Sequence, residues 1–151
     1  MDITTAHPLL QRIAETATAV GQGFNNFTAH LPATAAEITD LISKCFGVSS
    51  RCQELAFSIR DLRYEDQFLR YKREVQEIAG SLEITFRDTK RIIGEEIFEA
   101  RERRCGPQEQ YRHAWSALGA HFEEESGNRL GRRLEYYYVF LGGLREGVER
   151  G

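Results

Sequence analysis

Proline is scarce in this chain, three residues in 151, and none lies between Tyr64 and Arg104. Nothing in that stretch therefore forbids a long helix. There is also no run approaching the roughly 18 consecutive apolar residues of a membrane-spanning helix, and Met1-Asp2-Ile3-Thr4-Thr5 lacks the basic and then apolar segments of a secretory leader. Cysteine is limited to three residues without regular spacing, an odd number that argues against a disulfide framework and for a reducing, intracellular location, cytoplasmic or nuclear. No segment alternates apolar and polar residues long enough to make a convincing strand. Charge of one sign is lacking too: the formal net charge is −3, so nothing global favours nucleic acid or an anionic membrane. The charges are unevenly placed, however. Residues 1–56 carry eight and residues 57–151 carry thirty-five, which makes the amino-terminal third the more apolar partner.

What the chain does have is helical periodicity. From Tyr64 to Arg104, Phe68, Tyr71, Val75, Ile78, Leu82, Phe86, Ile93, Ile97 and Ala100 recur at helical spacing. The pairs Tyr71/Val75, Leu82/Phe86 and Ile93/Ile97 repeat every eleven residues, a period that favours a straight helix over a left-handed supercoil. One apolar stripe does not stabilise a helix alone, so the remaining segments are expected to cover it. Gly80 and Gly94 fall away from the stripe and are expected at bends, with a break at Gly94 as the alternative to one unbroken helix, rather than at tight contacts.

Before that stretch, Leu10, Ile13, Ala17, Val20, Phe24 and Phe27 step by threes and fours and predict helix 1 over about Leu9 to Phe27, with Gly21 and Gly23 as weak points or an early stop. Thr34 and Glu37 have the spacing of a capping box and place the start of helix 2 near Thr34. Its stripe is Ile38, Leu41 or Ile42, Cys45, Val48, Cys52, Leu55, Ile59 and Leu62, with a kink expected at Gly47-Val48-Ser49-Ser50. A tight turn within Asp61 to Asp66 then sets helix 2 antiparallel to the central helix; one continuous rod is the alternative. Cys105-Gly106-Pro107 punctuates the chain, Gly suiting the residue past a helix end and Pro the first turn of the next. Helix 4 follows from Pro107 to about Glu125, facing Tyr111, Ala114 or Trp115, Leu118 and Phe122 inward. Ser126-Gly127-Asn128 ends it, and helix 5 carries Leu130, Leu134, Tyr137, Leu141, Leu144 and Val148 inward, with Gly142-Gly143 either allowing close approach of a neighbouring helix or simply lowering the stability of this one. The expected fold is all-α: one domain over residues 1–151, an antiparallel bundle of four to five helices around a long central helix.

The run Ser81-Leu82-Glu83-Ile84-Thr85-Phe86-Arg87-Asp88, followed by Tyr111, Trp115, His121-Phe122, Glu125-Ser126, Leu130, Arg133-Leu134, Tyr137, Phe140-Leu141 and Leu144, resembles a helical domain found near the amino terminus of many uncharacterised filamentous-fungal proteins. The resemblance covers residues 81–144, rests mostly on packing residues and implies a helical, non-enzymatic module of that fungal type; it transfers no site. Proteins of that group continue beyond the point matching Gly151, so this chain is expected to have lost a tail or to be an excerpt.

Candidate chemistry is sparse. Glu109/His113 and His121/Glu125 are spaced i, i+4, but the inward positions of the other helices are Leu, Ile, Phe and Tyr, so matching carboxylates for a metal are lacking and no metal or cofactor is expected. Cys45 and Cys52 lie on the stripe of helix 2 as small core residues. Cys105 stands beside Arg103 and Arg104, which would lower its pKa, yet no base or oxyanion site accompanies it, and no catalytic residue is assigned. The basic clusters Arg101/Arg103/Arg104 and Arg129/Arg132/Arg133 are flanked by acids and suit ion pairing better than phosphate. Tyr137 belongs to the seam, leaving Tyr136 and Tyr138 on either side of it. With Arg129, Arg132 and Arg133 one or two turns away, this is the composition of an interface hot spot.

The function expected is a non-enzymatic protein-interaction or oligomerisation module whose interface candidates are Arg129, Arg132, Arg133, Tyr136 and Tyr138, with an unidentified protein or a second copy as partner. Nucleic acid is not expected. The alternative is a membrane-surface, lipid-responsive domain with helix 1 inserting, disfavoured because helix 1 carries only Arg12 where interfacial helices show a Lys/Arg-rich face.

Overall fold

The computed structural model describes residues 2–127 and 129–150, and among these residues there are six α-helices and no strand. They are α1 (Ile3–Gly23), α2 (Asn25–His30), α3 (Ala35–Arg60), α4 (Glu65–Glu102), α5 (Pro107–Ser126) and α6 (Leu130–Arg150). The all-α bundle with one long central helix is thus what the chain forms. At 38 residues, α4 is about 57 Å long at 1.5 Å per residue.

Side-chain contacts fix the directions. Ser49 of α3 meets Ala14 and Thr18, while Cys45 and Phe46 lie against Gly21, so α1 and α3 are antiparallel. Thr85, Ser81 and Tyr71 of α4 meet Arg133, Tyr137 and Gly147 of α6 in that order, so these two are antiparallel as well. Lys44, Arg51 and Ser58 of α3 meet Glu135, Gly142 and Glu149 of α6, so those two run parallel. Around the bundle the order is α1, α3, α6, α4. Helices α3 and α4 are joined by a tight turn at the expected place, but they lie diagonally and meet little beyond that turn. Asp61 makes the turn: it ends α3 with extended backbone, and its carboxylate accepts from the Arg63 N–H at 3.0 Å.

Helix α5 runs antiparallel to the second half of α4, Gln110 lying near Arg101 and His121 near Asp88. Helix α6 then continues in the same direction along the first half of α4. Two consecutive helices of 20 and 21 residues therefore fill one position of the bundle end to end, matching the length of α4. Gly127, in the left-handed region with φ +71°, ends α5 with its N–H on the Glu123 carbonyl. The predicted stop at Ser126-Gly127-Asn128 is thus met at Gly127; Asn128 lies outside the described residues.

Most expected inward residues are buried, and the exceptions have local causes. Helix α1 starts six residues earlier than expected because Asp2 caps it, accepting from the Thr5 N–H at 3.0 Å, and Pro8 is accommodated inside the helix at the loss of one N–H donor. The chain breaks after Gly23 and resumes as α2, which keeps Phe24 and Phe27 in the core. The capping box at Thr34 does not form: the Thr34 hydroxyl donates back to the Leu31 carbonyl at 3.3 Å. At Gly47 α3 is unbroken, because the Ser49 hydroxyl is used between helices, donating to the Ala14 carbonyl and pairing with Thr18, instead of competing within α3. Leu62 falls beyond the end of α3 and is 79 % exposed. In α4 the buried stripe runs through Thr85, Thr89 and Ile92, leaving Ile93 and Ile97 half-buried. At the α4–α5 corner the left-handed residue is Arg104 (φ 60°) and not Gly106, which is extended ahead of Pro107. Bonds from Cys105 N–H to the Ala100 carbonyl and from Arg104 N–H to the Arg101 carbonyl complete a Schellman cap.

Candidate functional site

Helix α6 presents two faces. Leu130, Leu134, Tyr137, Leu141, Leu144 and Val148 are buried. On the other side Arg129, just ahead of the helix, and then Arg132, Tyr136, Val139 and Gly143 step by 3, 4, 3 and 4 and are all exposed. This outer seam has the period of the inner one and carries large apolar groups in water, Tyr136 at 59 % and Val139 at 72 % exposure. The Tyr136 ring leans on Phe140 with centroids 5.7 Å apart and meets Tyr137 edge-on at 5.9 Å, which restricts its rotamers without covering it.

The five sequence candidates divide accordingly. Arg129, Arg132 and Tyr136 share the open seam. Arg133 turns inward, its guanidinium 5.0 Å from the centre of the Phe122 ring and donating to the Thr85 hydroxyl at 3.4 Å. Tyr138 packs over Gly47 of α3, with the Arg51 guanidinium 4.2 Å from its ring centre, and stays 40 % exposed. Val139 and Gly143 were missed by the sequence reasoning. The signal for them was the second 3-4 period one step out of phase with the buried one.

Beside the head of this seam, α3, α5 and the start of α6 enclose a cleft of about 590 Å³. Its floor is Leu41, Trp115, Leu118 and Leu130, and Gly119, Ala120 and Gly131 keep it open. The rim is mixed in charge, Arg129 and Arg132 with Glu37, Asp40 and Glu123. Lys44 on the same rim is engaged by Asp40 at 2.8 Å and Glu135 at 3.1 Å, and the hydrogen bond to Asp40 is the main cause holding its pKa above the ordinary lysine value.

The cysteines behave in two ways. Burial pushes the Cys45 and Cys52 thiols up to about 12, as befits core residues. Cys105 is partly exposed, and its pKa is raised, not lowered as Arg103 and Arg104 led one to expect. Desolvation, followed by the thiol's hydrogen bond to Glu109, outweighs the pull of Arg103. The fold brings the donor atoms of Cys105, Glu109 and His113 within 4.8 Å of one another, a grouping that sequence reasoning had split into two separate candidates. In the second predicted pair the Glu125 side chain lies outside the described residues. Its neighbour His121 places Nε2 3.6 Å from the Asp88 carboxylate of α4. No family model, curated protein or solved structure matches the chain.

Proposed function

We propose that this chain is a non-enzymatic helical module that binds a protein partner, or a second copy of itself, through the outer face of α6. The observation that carries this reading is the exposed seam Arg129, Arg132, Tyr136 and Val139, continuous in period with a helix that is already held rigidly on its inner side. Tyr and Arg are among the residues most enriched at interface hot spots, Tyr because it covers a large area at small entropic cost and Arg because its planar head stacks and donates several hydrogen bonds at once. A protein partner suits the surface better than phosphate, since Arg129 and Arg132 share the rim of the cleft with three carboxylates, Glu37, Asp40 and Glu123. Insertion of helix 1 into a membrane surface would first have to extract Ala6, Leu10, Ile13, Ala17 and Val20 from the core, a large cost that nothing on the α6 face requires.

Light scattering coupled to size exclusion, together with partner capture on the full chain, tests the reading. Tyr136→Ala combined with Val139→Asp is expected to abolish association and leave the unfolding midpoint nearly unchanged, because both positions are exposed. A protein that stays a compact monomer at all concentrations and captures nothing, or an association indifferent to this double substitution, would overturn it.

A further inference from the structure

Cys105, Glu109 and His113 follow one another at intervals of four residues, from the α4–α5 corner up the first two turns of α5. Within α5 the i, i+4 spacing puts Glu109 and His113 on one face, and Cys105 reaches them from the extended corner just ahead of the helix. Their donor atoms, a sulfur, a carboxylate oxygen and an imidazole nitrogen, lie within 4.8 Å of one another. Around a tetrahedral zinc ion with bonds of about 2.0–2.3 Å, ligand atoms sit roughly 3.3–3.8 Å apart, so a closure of about 1 Å suffices. Small side-chain rotations supply that closure, because Glu109 and His113 are exposed and Cys105 is only half-buried.

We propose that Cys105, Glu109 and His113 form a binding site for a divalent transition-metal cation, zinc in the first instance, with a fourth coordination position left to water or to a donor from another molecule. Sulfur and imidazole together select a borderline-soft ion over magnesium or calcium, which take oxygen ligands. One thiolate and one carboxylate balance the two positive charges of the cation. Metal binding requires the Cys105 thiolate. On binding, the S–H bond breaks, the metal–sulfur bond forms and the proton passes to solvent.

The backbone that carries the sulfur is held independently of any ion. The Cys105 N–H donates to the Ala100 carbonyl at 2.9 Å. The Gln110 side chain donates to the Cys105 carbonyl at 2.9 Å, and its own oxygen accepts from Arg101 at 3.3 Å. Such outer contacts orient ligands before the metal arrives. The site lies at the end of α5 remote from α6 and does not depend on the interaction reading.

Cobalt(II) added stoichiometrically to the reduced full-length protein is expected to give the thiolate-to-cobalt charge-transfer band in the near ultraviolet and the intense visible bands of tetrahedral cobalt, both bleached by zinc. Cys105→Ser is expected to remove the charge-transfer band. Glu109→Gln and His113→Gln are each expected to weaken cobalt binding by more than the roughly 10- to 100-fold typical of losing an outer contact. Zinc is expected to raise the unfolding midpoint of the parent protein but not of the Cys105→Ser variant, with circular dichroism confirming that all variants fold. Absence of the band in the parent protein, its survival in Cys105→Ser, or full affinity in His113→Gln would overturn the proposal.

Discussion

At the scale of single residues, the polar groups inside the bundle show how the helices are keyed together. Tyr137 sits on the buried seam of α6, and its hydroxyl pairs with Ser81 at 2.7 Å and Thr85 at 3.0 Å on α4. Thr85 is fully buried, and its hydroxyl also accepts from the Arg133 guanidinium, at 3.4 Å. Tyr137→Phe keeps the ring and deletes that hub. It is expected to cost about 1–2 kcal/mol in urea unfolding, since a buried hydroxyl left short of partners loses its solvation without full repayment. The seam position of Tyr137 was legible in the sequence because a 3-4 period is a local property. The partners of its hydroxyl were not, since Ser81 and Thr85 are more than fifty residues away. Arg133 and Tyr138 teach the same lesson. Their residue types suited an interface, but whether each side chain turns inward depends on Phe122 in one case and on Gly47 and Arg51 in the other.

At the scale of the element, glycines separate into two kinds that look alike in sequence. A Cβ built on Gly94 in α4 meets nothing within 4 Å, whereas one on Gly147 in α6 comes within 2.8 Å of the Tyr71 ring. Gly94→Ala is therefore expected to stabilise the protein by about 0.5–1 kcal/mol, by lowering the entropy of the unfolded chain and restoring helix propensity. Gly147→Ala must displace the Tyr71 ring and is expected to destabilise instead. Thermal unfolding of the two variants side by side checks both directions. The expectation that Gly80 and Gly94 avoid tight contacts matches their open surroundings, but α4 does not break at Gly94 and runs on to Glu102; Gly142 does permit a close approach, of the Arg51 guanidinium lying across it. Helix ends were less legible than helix centres. Caps are decided by single hydrogen bonds, as at Asp2, Thr34 and Arg104, whereas a stripe is averaged over many residues.

At the scale of the whole molecule, the far ends of α3 and α6 are tied by a polar network although they are about ninety residues apart in sequence. Ser58 donates to the Glu149 carboxylate at 2.6 Å, and Arg145 donates to Glu149 at 3.0 Å and to Glu54 at 3.1 Å. The Ser58 hydrogen bond, followed by Arg145, holds the Glu149 pKa below its ordinary value of 4.5. A folded-state pKa lower than the unfolded one stabilises the protein above that ordinary value, and the stabilisation is lost as the pH falls through the folded value. The urea midpoint of the parent protein is therefore expected to fall as the pH drops below 4.5, and Glu149→Gln to show a shallower fall over that window. Asp2 and Asp61, also held low by hydrogen bonds within their own turns, titrate alike in both proteins.

The division between sequence and tertiary structure follows from the range of the forces involved. Helical period, the inward seams of α1, α3, α5 and α6, the turn at Asp61 and the corner at Pro107 are set by residues within a few positions of one another, and the sequence alone determined them. The diagonal placement of α3 and α4, the end-to-end succession of α5 and α6 along one long helix, and the open outer seam were decided only by packing. Several apolar stripes of similar width can cover one another in more than one order, and the choice rests on contacts distant in sequence, such as Tyr71 against Gly147 and Ser49 against Ala14.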